Sequence, residues 1–319
     1  MKRLLLPLAA CAGMALPGRA QTQADTVVNV YQLGDLVIHG RAEGLDLEGF
    51  MRQVKADTSF LHAFLNMRHW PHAVEGRLQV RHKGEKEVAA QYRRARLQRH
   101  GAMAVMRTDS VAESGKLRDR KGGMRYLTAE LYEDLFWPNG SWRADNTVTT
   151  YRQGLRGKGR LERYKEELKK FMFNPGEEIA SVPFIGDKLA LFDPRMIPWY
   201  EYTIGQNFRN GRACWEFSAL AKDSLNGRRA DPDATVIKSM HTWFDQQGMQ
   251  VIAREYRIAH ASLPLDFDIR IRVDNTLIDQ ELVPTFIHYD GDWDIPLHKR
   301  EQVRFQLLMK DWSTRVAEE

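Results

Sequence analysis

Residues 265–274 read LDFDIRIRVD. Leu265, Phe267, Ile269, Ile271 and Val273 alternate with Asp266, Asp268, Arg270, Arg272 and Asp274. A period of two sustained over ten residues is that of a strand with one dry face and one wet face. Just upstream, residues 241–260 read HTWFDQQGMQVIAREYRIAH, with apolar-rich runs on both sides of Asp245-Gln-Gln-Gly248. A turn there leaves residues 249–260 as a second strand. Alternation then places Ile252, Tyr256 and Ile258 on one face with Arg254 and His260, and Val251, Ala253, Glu255, Arg257 and Ala259 on the other. The first face carries the larger apolar groups and is expected to meet the core. Arg254 is expected near a rim, its stem packed and its head in water.

The pattern continues in both directions. Asn210-Gly211 lies between two strand-like runs and is the best short hairpin signal in the chain. Residues 282–289 and 303–309 read as further strands. Residues 73–127 read as short strands between turn signals, at Lys83-Gly84, His100-Gly101 and Lys121-Gly122-Gly123. Within them QYRRARLQRH would also fit one turn of basic helix, but a meander accounts better for the turn spacing. Near the start, residues 27–38 read as a strand or two broken at Gly34. Asp46 is suited to cap a helix over 47–55, and Thr58 or Ser59 a second over 60–67. Leu161, Tyr164, Leu168, Phe171 and Met172 fall on one face at helical spacing, predicting a covering helix over 161–173. Too few helices intervene for parallel crossovers. The expected class is therefore α+β and β-rich: a large curved antiparallel sheet, half-barrel-like, with a few covering helices. The expected divisions are a leader over 1–20, a strand and helical segment over 21–70, and a sheet domain over 71–319.

The first twenty residues predict export. Lys2-Arg3 precede an apolar run over 4–16, and Gly18-Arg19-Ala20 offers a small-residue cleavage site before Gln21. The run is too short to span a bilayer. Leu8-Ala9-Ala10-Cys11 also has a lipobox pattern, which would make the protein a lipoprotein through Cys11. Export predicts a periplasmic or outer-membrane-associated location. Removing Lys2, Arg3 and Arg19 lowers the formal charge from +5 to +2. The charge is polarised instead: residues 68–125 hold 15 Lys/Arg against 6 Asp/Glu, and residues 262–294 hold 2 against 8. Such asymmetry bears on partners. Anionic head groups would suit the basic stretch, although charged edge strands also deter edge-to-edge pairing. Nucleic acid is not an expected partner of an exported chain. After cleavage Cys214 is the one cysteine, expected as a buried thiol.

The succession YEYTI…GRACWEF, TVIKSMHTWFDQQGMQVIAREYRIAH, LDFDIRIRVDNTLIDQELVPTFIHYDGDWDIP and KREQVRFQLLMKDW resembles the strand order of the LolA-like lipoprotein-carrier half-barrel. It also resembles uncharacterised exported envelope proteins of the Bacteroidetes. The resemblance is one of layout over residues 199–312. It implies an apolar groove that takes a lipid or an acyl chain.

Signals for chemistry are sparse. Asp290, Asp292, Asp294 and Glu301 occupy positions 1, 3, 5 and 12 of a calcium-loop spacing. Ile295 replaces the turn glycine and Pro296 follows, so Asp290-Gly291 reads instead as a hairpin turn. His-Glu-x-x-His and Gly-x-Ser-x-Gly do not occur in the sequence. No cofactor is expected and no catalytic residue stands out. The expectation is a non-enzymatic envelope protein that binds a lipid, a lipoprotein acyl chain or an outer-membrane partner. Trp199, Tyr200, Tyr202, Trp215, Phe217, Trp243, Phe244 and Tyr256 are the candidates for a concave lining. The alternatives are a structural or assembly protein with a dry sheet core and a hydrolase whose site is not legible.

Overall fold

The computed structural model describes residues 29–33, 35–40, 44–82, 86–148, 172, 176, 186–262, 265–294 and 300–315. The helix expected over 161–173 lies outside the described residues apart from Met172, as do the leader, Cys11 and the turn at 83–85. The chain opens with a hairpin, β1 (Asn29–Leu33) and β2 (Leu36–Gly40). Helices α1 (Leu47–Ala56) and α2 (Ser59–Asn66) follow. Then come β3 (His72–His82), β4 (Lys86–His100), β5 (Met103–Gly115), α3 (Leu127–Phe136) and β6 (Ser141–Arg143). The second half holds β7 (Tyr200–Arg209), β8 (Arg212–Ala221), the small pair β9 (Ser224–Leu225) and β10 (Arg228–Arg229), and β11 (Ile237–Asp245). It ends with β12 (Val251–Ser262), β13 (Leu265–Ile278), β14 (Glu281–Asp294) and β15 (Glu301–Lys310).

Thirteen of these strands form one curved sheet in the order β1-β2-β7-β8-β11-β12-β13-β14-β15-β3-β4-β5-β6. It is not a closed barrel. All neighbours are antiparallel except β2 and β7, which run parallel where Ile38 meets Tyr202. The 265–274 strand sits near the middle, with Ile271 paired to Tyr256 on one side and Tyr289 on the other. Asn210 and Gly211 both have positive φ, 52° and 77°, the conformation a tight two-residue hairpin requires.

Alternation divides the sheet into two faces. One is covered by α1, α2 and α3 and holds the core: Leu78, Phe217, Phe244, Ile258, Ile269 and Leu307 are all buried there. The other is open and polar over most of its area. Phe50 of α1 meets Phe244 edge-on, with ring centroids 5.3 Å apart. The Asp46 carboxylate accepts from Gly49 N at 3.0 Å, as the sequence predicts. Before α2 it is Asp57 rather than Thr58 that accepts, from Ser59 N at 3.0 Å.

Four expectations are corrected. A bulge between Trp243 and Phe244 adds a residue to β12, so Val251 joins the main core while Ile252 joins Cys214, Trp243 and Ala253 in a small cluster of their own. An inserted residue reverses every face assignment before it. Arg254 does not reach water. It lies 4.3 Å over the Phe60 ring, donates to Thr242 Oγ1 at 3.1 Å and pairs with Asp57 at 3.7 Å. Asp290-Gly291 is no turn, since β14 runs through it to Asp294. A Cβ at Gly291 would stand 2.3 Å from the Tyr289 hydroxyl, so glycine here makes room for a ring rather than a bend. Finally, the strands expected over 73–127 end with β5 at Gly115, and α3 follows at Leu127–Phe136, where no helix is expected from the sequence.

Candidate functional site

An almost wholly apolar opening lies between α3 and the middle of the sheet. Leu131, Tyr132, Leu135 and Phe136 line it from α3, and Met172 from beside it. Ile258 of β12, Ile269 and Ile271 of β13, Tyr289 and Trp293 of β14 and Phe305 of β15 form its floor. Its free volume is about 50 Å³, room for a water or two but not for an acyl chain. The walls are aromatic and ordered against each other. Tyr289 stacks on Phe305 at 4.7 Å and an interplanar angle of 2°, and Tyr132 meets Phe305 at 4.9 Å. Trp293 Nε1 donates to the Tyr289 hydroxyl at 2.5 Å. Burial pushes the Tyr132 and Tyr289 hydroxyls well above the usual phenol range, so both stay neutral.

Helix α3 has no side-chain cap of its own, because Tyr126 stands at the N-cap position. Its free N–H groups are met from across the chain. The Glu301 carboxylate accepts from Leu127 N at 2.8 Å, Thr128 N at 3.0 Å and Thr128 Oγ1 at 3.1 Å. An anion at a helix N-terminus is favoured both by these bonds and by the dipole. Glu301 therefore seats α3 over the sheet and fixes the roof of the opening.

The aromatic residues singled out from sequence are not one lining. Tyr202, Trp215, Phe217, Phe244 and Tyr256 all lie buried on the helix-covered face, with Tyr200, and Trp199 packs at its margin. They fill rather than border a space: Tyr202 stacks with Phe217 and Phe192, and its hydroxyl donates to Leu191 O at 2.9 Å. The Tyr256 hydroxyl donates to Met172 O at 2.7 Å. Trp243 is on the opposite face, 4.2 Å beneath the Arg209 guanidinium. The opening beside Tyr256 uses residues whose alternation was legible, Ile269 and Ile271, and an α3 face that was not assigned. The i, i+4 series Leu127, Leu131, Leu135 and the pair Tyr132 and Phe136 were the signal for it.

The carboxylates with calcium-loop spacing are divided by the sheet. Asp290, Asp292 and Asp294 alternate with buried Tyr289, Gly291 and Trp293 and so share the open face. Glu301 lies opposite Trp293 on the covered face. Asp290 is taken by Arg81 and Arg304, and Asp292 by Arg300 and Gln302. Among the described residues no group of three or more His, Cys, Asp or Glu is placed to hold a metal. Cys214 is fully buried, and burial raises its thiol pKa.

The sequence matches no protein-family model and no curated protein. Comparison with solved structures finds similar chains. A domain described as an outer membrane lipoprotein-sorting protein, from Vibrio parahaemolyticus, is 8% identical with a TM-score of 0.27, over 82% of this chain and 94% of that one. A DUF1329 family protein from Desulfovibrio piger is 9% identical with a TM-score of 0.25, over 81% and 93%. Lipovitellin, solved for its lipid–protein interactions, is 7% identical with a TM-score of 0.26, over 78% of this chain but only 26% of its own length.

Proposed function

We propose that this protein is a non-catalytic binding protein of the cell envelope that takes an apolar or amphipathic ligand, a lipid or an acyl chain, between α3 and the sheet. The opening under α3 carries this reading. It is walled almost wholly by aliphatic and aromatic side chains, on four neighbouring strands and one helix, which is the make-up of a small-molecule site. An acyl chain needs more than the present free volume, so binding requires α3 to lift. Its attachments suit that. Its polar tethers are two carboxylates, Glu301 at its start and Glu133 on Arg93 of β4 at 2.6 Å, and Pro138-Asn139-Gly140 follows its end with Gly140 at a φ of 73°. The N-terminal leader read from the sequence is consistent with such a location.

Mass spectrometry of natively purified protein tests the reading. Co-purified lipid, and displacement of it by a fluorescent fatty acid, are expected. Protein free of lipid that also leaves the fluorescent fatty acid unbound would favour the second reading, an assembly protein with a dry core. That alternative draws on the tight packing of Tyr202, Phe217 and Phe192.

A further inference from the structure

The open face of the sheet carries a groove of about 460 Å³ over β11 to β14. Its floor is two transverse rows set by register. His241, Glu255, Arg272 and His288 form one, and Ser239, Arg257, Arg270 and Asp290 the other. Six guanidinium groups serve this patch, those of Arg81, Arg209, Arg257, Arg270, Arg272 and Arg304, and they share four carboxylates. Glu255 and Asp274 are each shared by Arg209 and Arg272, Arg257 holds Asp268, and Arg81 with Arg304 holds Asp290. Arg270 alone of the six forms no ion pair among the described residues. Its direct neighbour on β12 is another arginine, Arg257, and the acid beside it on β14, Asp290, is already committed twice. Like charges directly opposite in a sheet destabilise it unless an anion lies between them. Further along the same face Asp266, Asp292 and Asp294 gather around Arg300 alone, so an anion is repelled there and confined to the arginine-rich part.

We infer that this groove is a phosphate site, with Arg270 as its principal ligand and the unused N–H groups of Arg257 and Arg272 as its walls. With Glu216, which lies 3.1 Å from His241, five carboxylates face the six guanidinium groups, and the surplus positive charge falls where Arg270 and Arg257 stand side by side. Arginine forks suit tetrahedral oxyanions. The phosphoryl group could be borne by a soluble molecule or by a lipid head group, and the site is separate from the opening under α3, on the other face of the sheet.

Isothermal titration of the full chain with inorganic phosphate at low ionic strength tests the site. Saturable binding is expected, weakened about tenfold or more in Arg270→Gln and unchanged in Arg94→Gln, an exposed arginine elsewhere on the open face. Acetate is expected to bind at least tenfold more weakly than phosphate. Glycerol 3-phosphate binding without attachment to phosphatidic acid vesicles assigns a soluble ligand, and vesicle attachment lost in Arg270→Gln assigns a lipid head group. No saturable phosphate binding, an equal loss in both variants, or equal affinity for acetate overturns the site.

Discussion

His72 shows how a single residue can depend on a contact the local sequence does not announce. It stands in WPHAVEG, where alternation gives its face but not its surroundings. In the fold its ring stacks on Trp312 at 4.0 Å, and Nδ1–H donates to Trp70 O at 2.9 Å. Burial lowers its pKa to about 4, so the folded protein holds it neutral where an unfolded chain would protonate it. Above about pH 6.5 the residue is neutral in both states and contributes no pH dependence. Between about 6.5 and 4 the unfolded state binds the extra proton, so stability falls as pH falls, by a total on the order of 3 kcal/mol. Urea unfolding at pH 7 and pH 4.5 should therefore show a larger loss for the wild type than for His72→Gln, which keeps a donor and cannot titrate. Equal losses would show that the ring is solvated in the folded state. Arg254 fails to be legible for a related reason. Its place on an apolar strand face was readable, but Asp57, which pairs with it, lies 197 positions upstream on the turn between two helices. A rim position is the default for such a side chain, and burial needs a partner that only the tertiary fold supplies.

Most strands were readable because each carries its own alternation or turn residues, as 265–274 and Asn210-Gly211 do. The exceptions are instructive. The bulge in β12 leaves no composition mark, and it inverted the faces of Val251 and Ile252. The start of helix α3 is not legible in the sequence, because the residue at its N-cap is Tyr126 and its capping carboxylate comes from β15. The rules that find helix starts look for a cap within three residues. That arrangement also reassigns Glu301, which the spacing of DGDWDIPLHKRE had offered as a twelfth-position calcium ligand. Glu301→Gln should lower stability by about 1–2 kcal/mol, the usual scale for loss of an N-terminal cap and its favourable dipole interaction. Because Glu301 and the three aspartates lie on opposite faces, the melting temperature of either protein should not respond to millimolar calcium. A calcium-dependent rise abolished by the substitution would place Glu301 in a metal site after all.

At the scale of the whole molecule, the covered face has two parts with different demands. Around β7 to β12 the aromatic side chains are locked by rings and by hydroxyl bonds to backbone carbonyls, as Tyr202 to Leu191 and Tyr256 to Met172. Under α3 the walls are as apolar but leave space. Stability should reside in the first part and ligand binding in the second, and two substitutions separate them. Tyr256→Ala deletes a ring that is 3% exposed together with its hydrogen bond, and should cost about 3–5 kcal/mol. Ile269→Trp instead adds bulk to the floor of the opening. If α3 lifts as the binding reading requires, the space beneath it should absorb that bulk at a cost of about 1–3 kcal/mol, while excluding an acyl chain. Chemical unfolding and titration with a fluorescent fatty acid are to be read on both proteins. The binding reading expects Ile269→Trp to abolish uptake while remaining folded, and folded Tyr256→Ala to retain it. If Tyr256→Ala loses uptake while little destabilised, the ligand space lies among the aromatic residues of β7 to β12 and α3 is only a cover. If the parent protein takes up no fatty acid at all and Ile269→Trp is destabilised as severely as Tyr256→Ala, the whole covered face is one dry core, and the protein's work must be done on its open side.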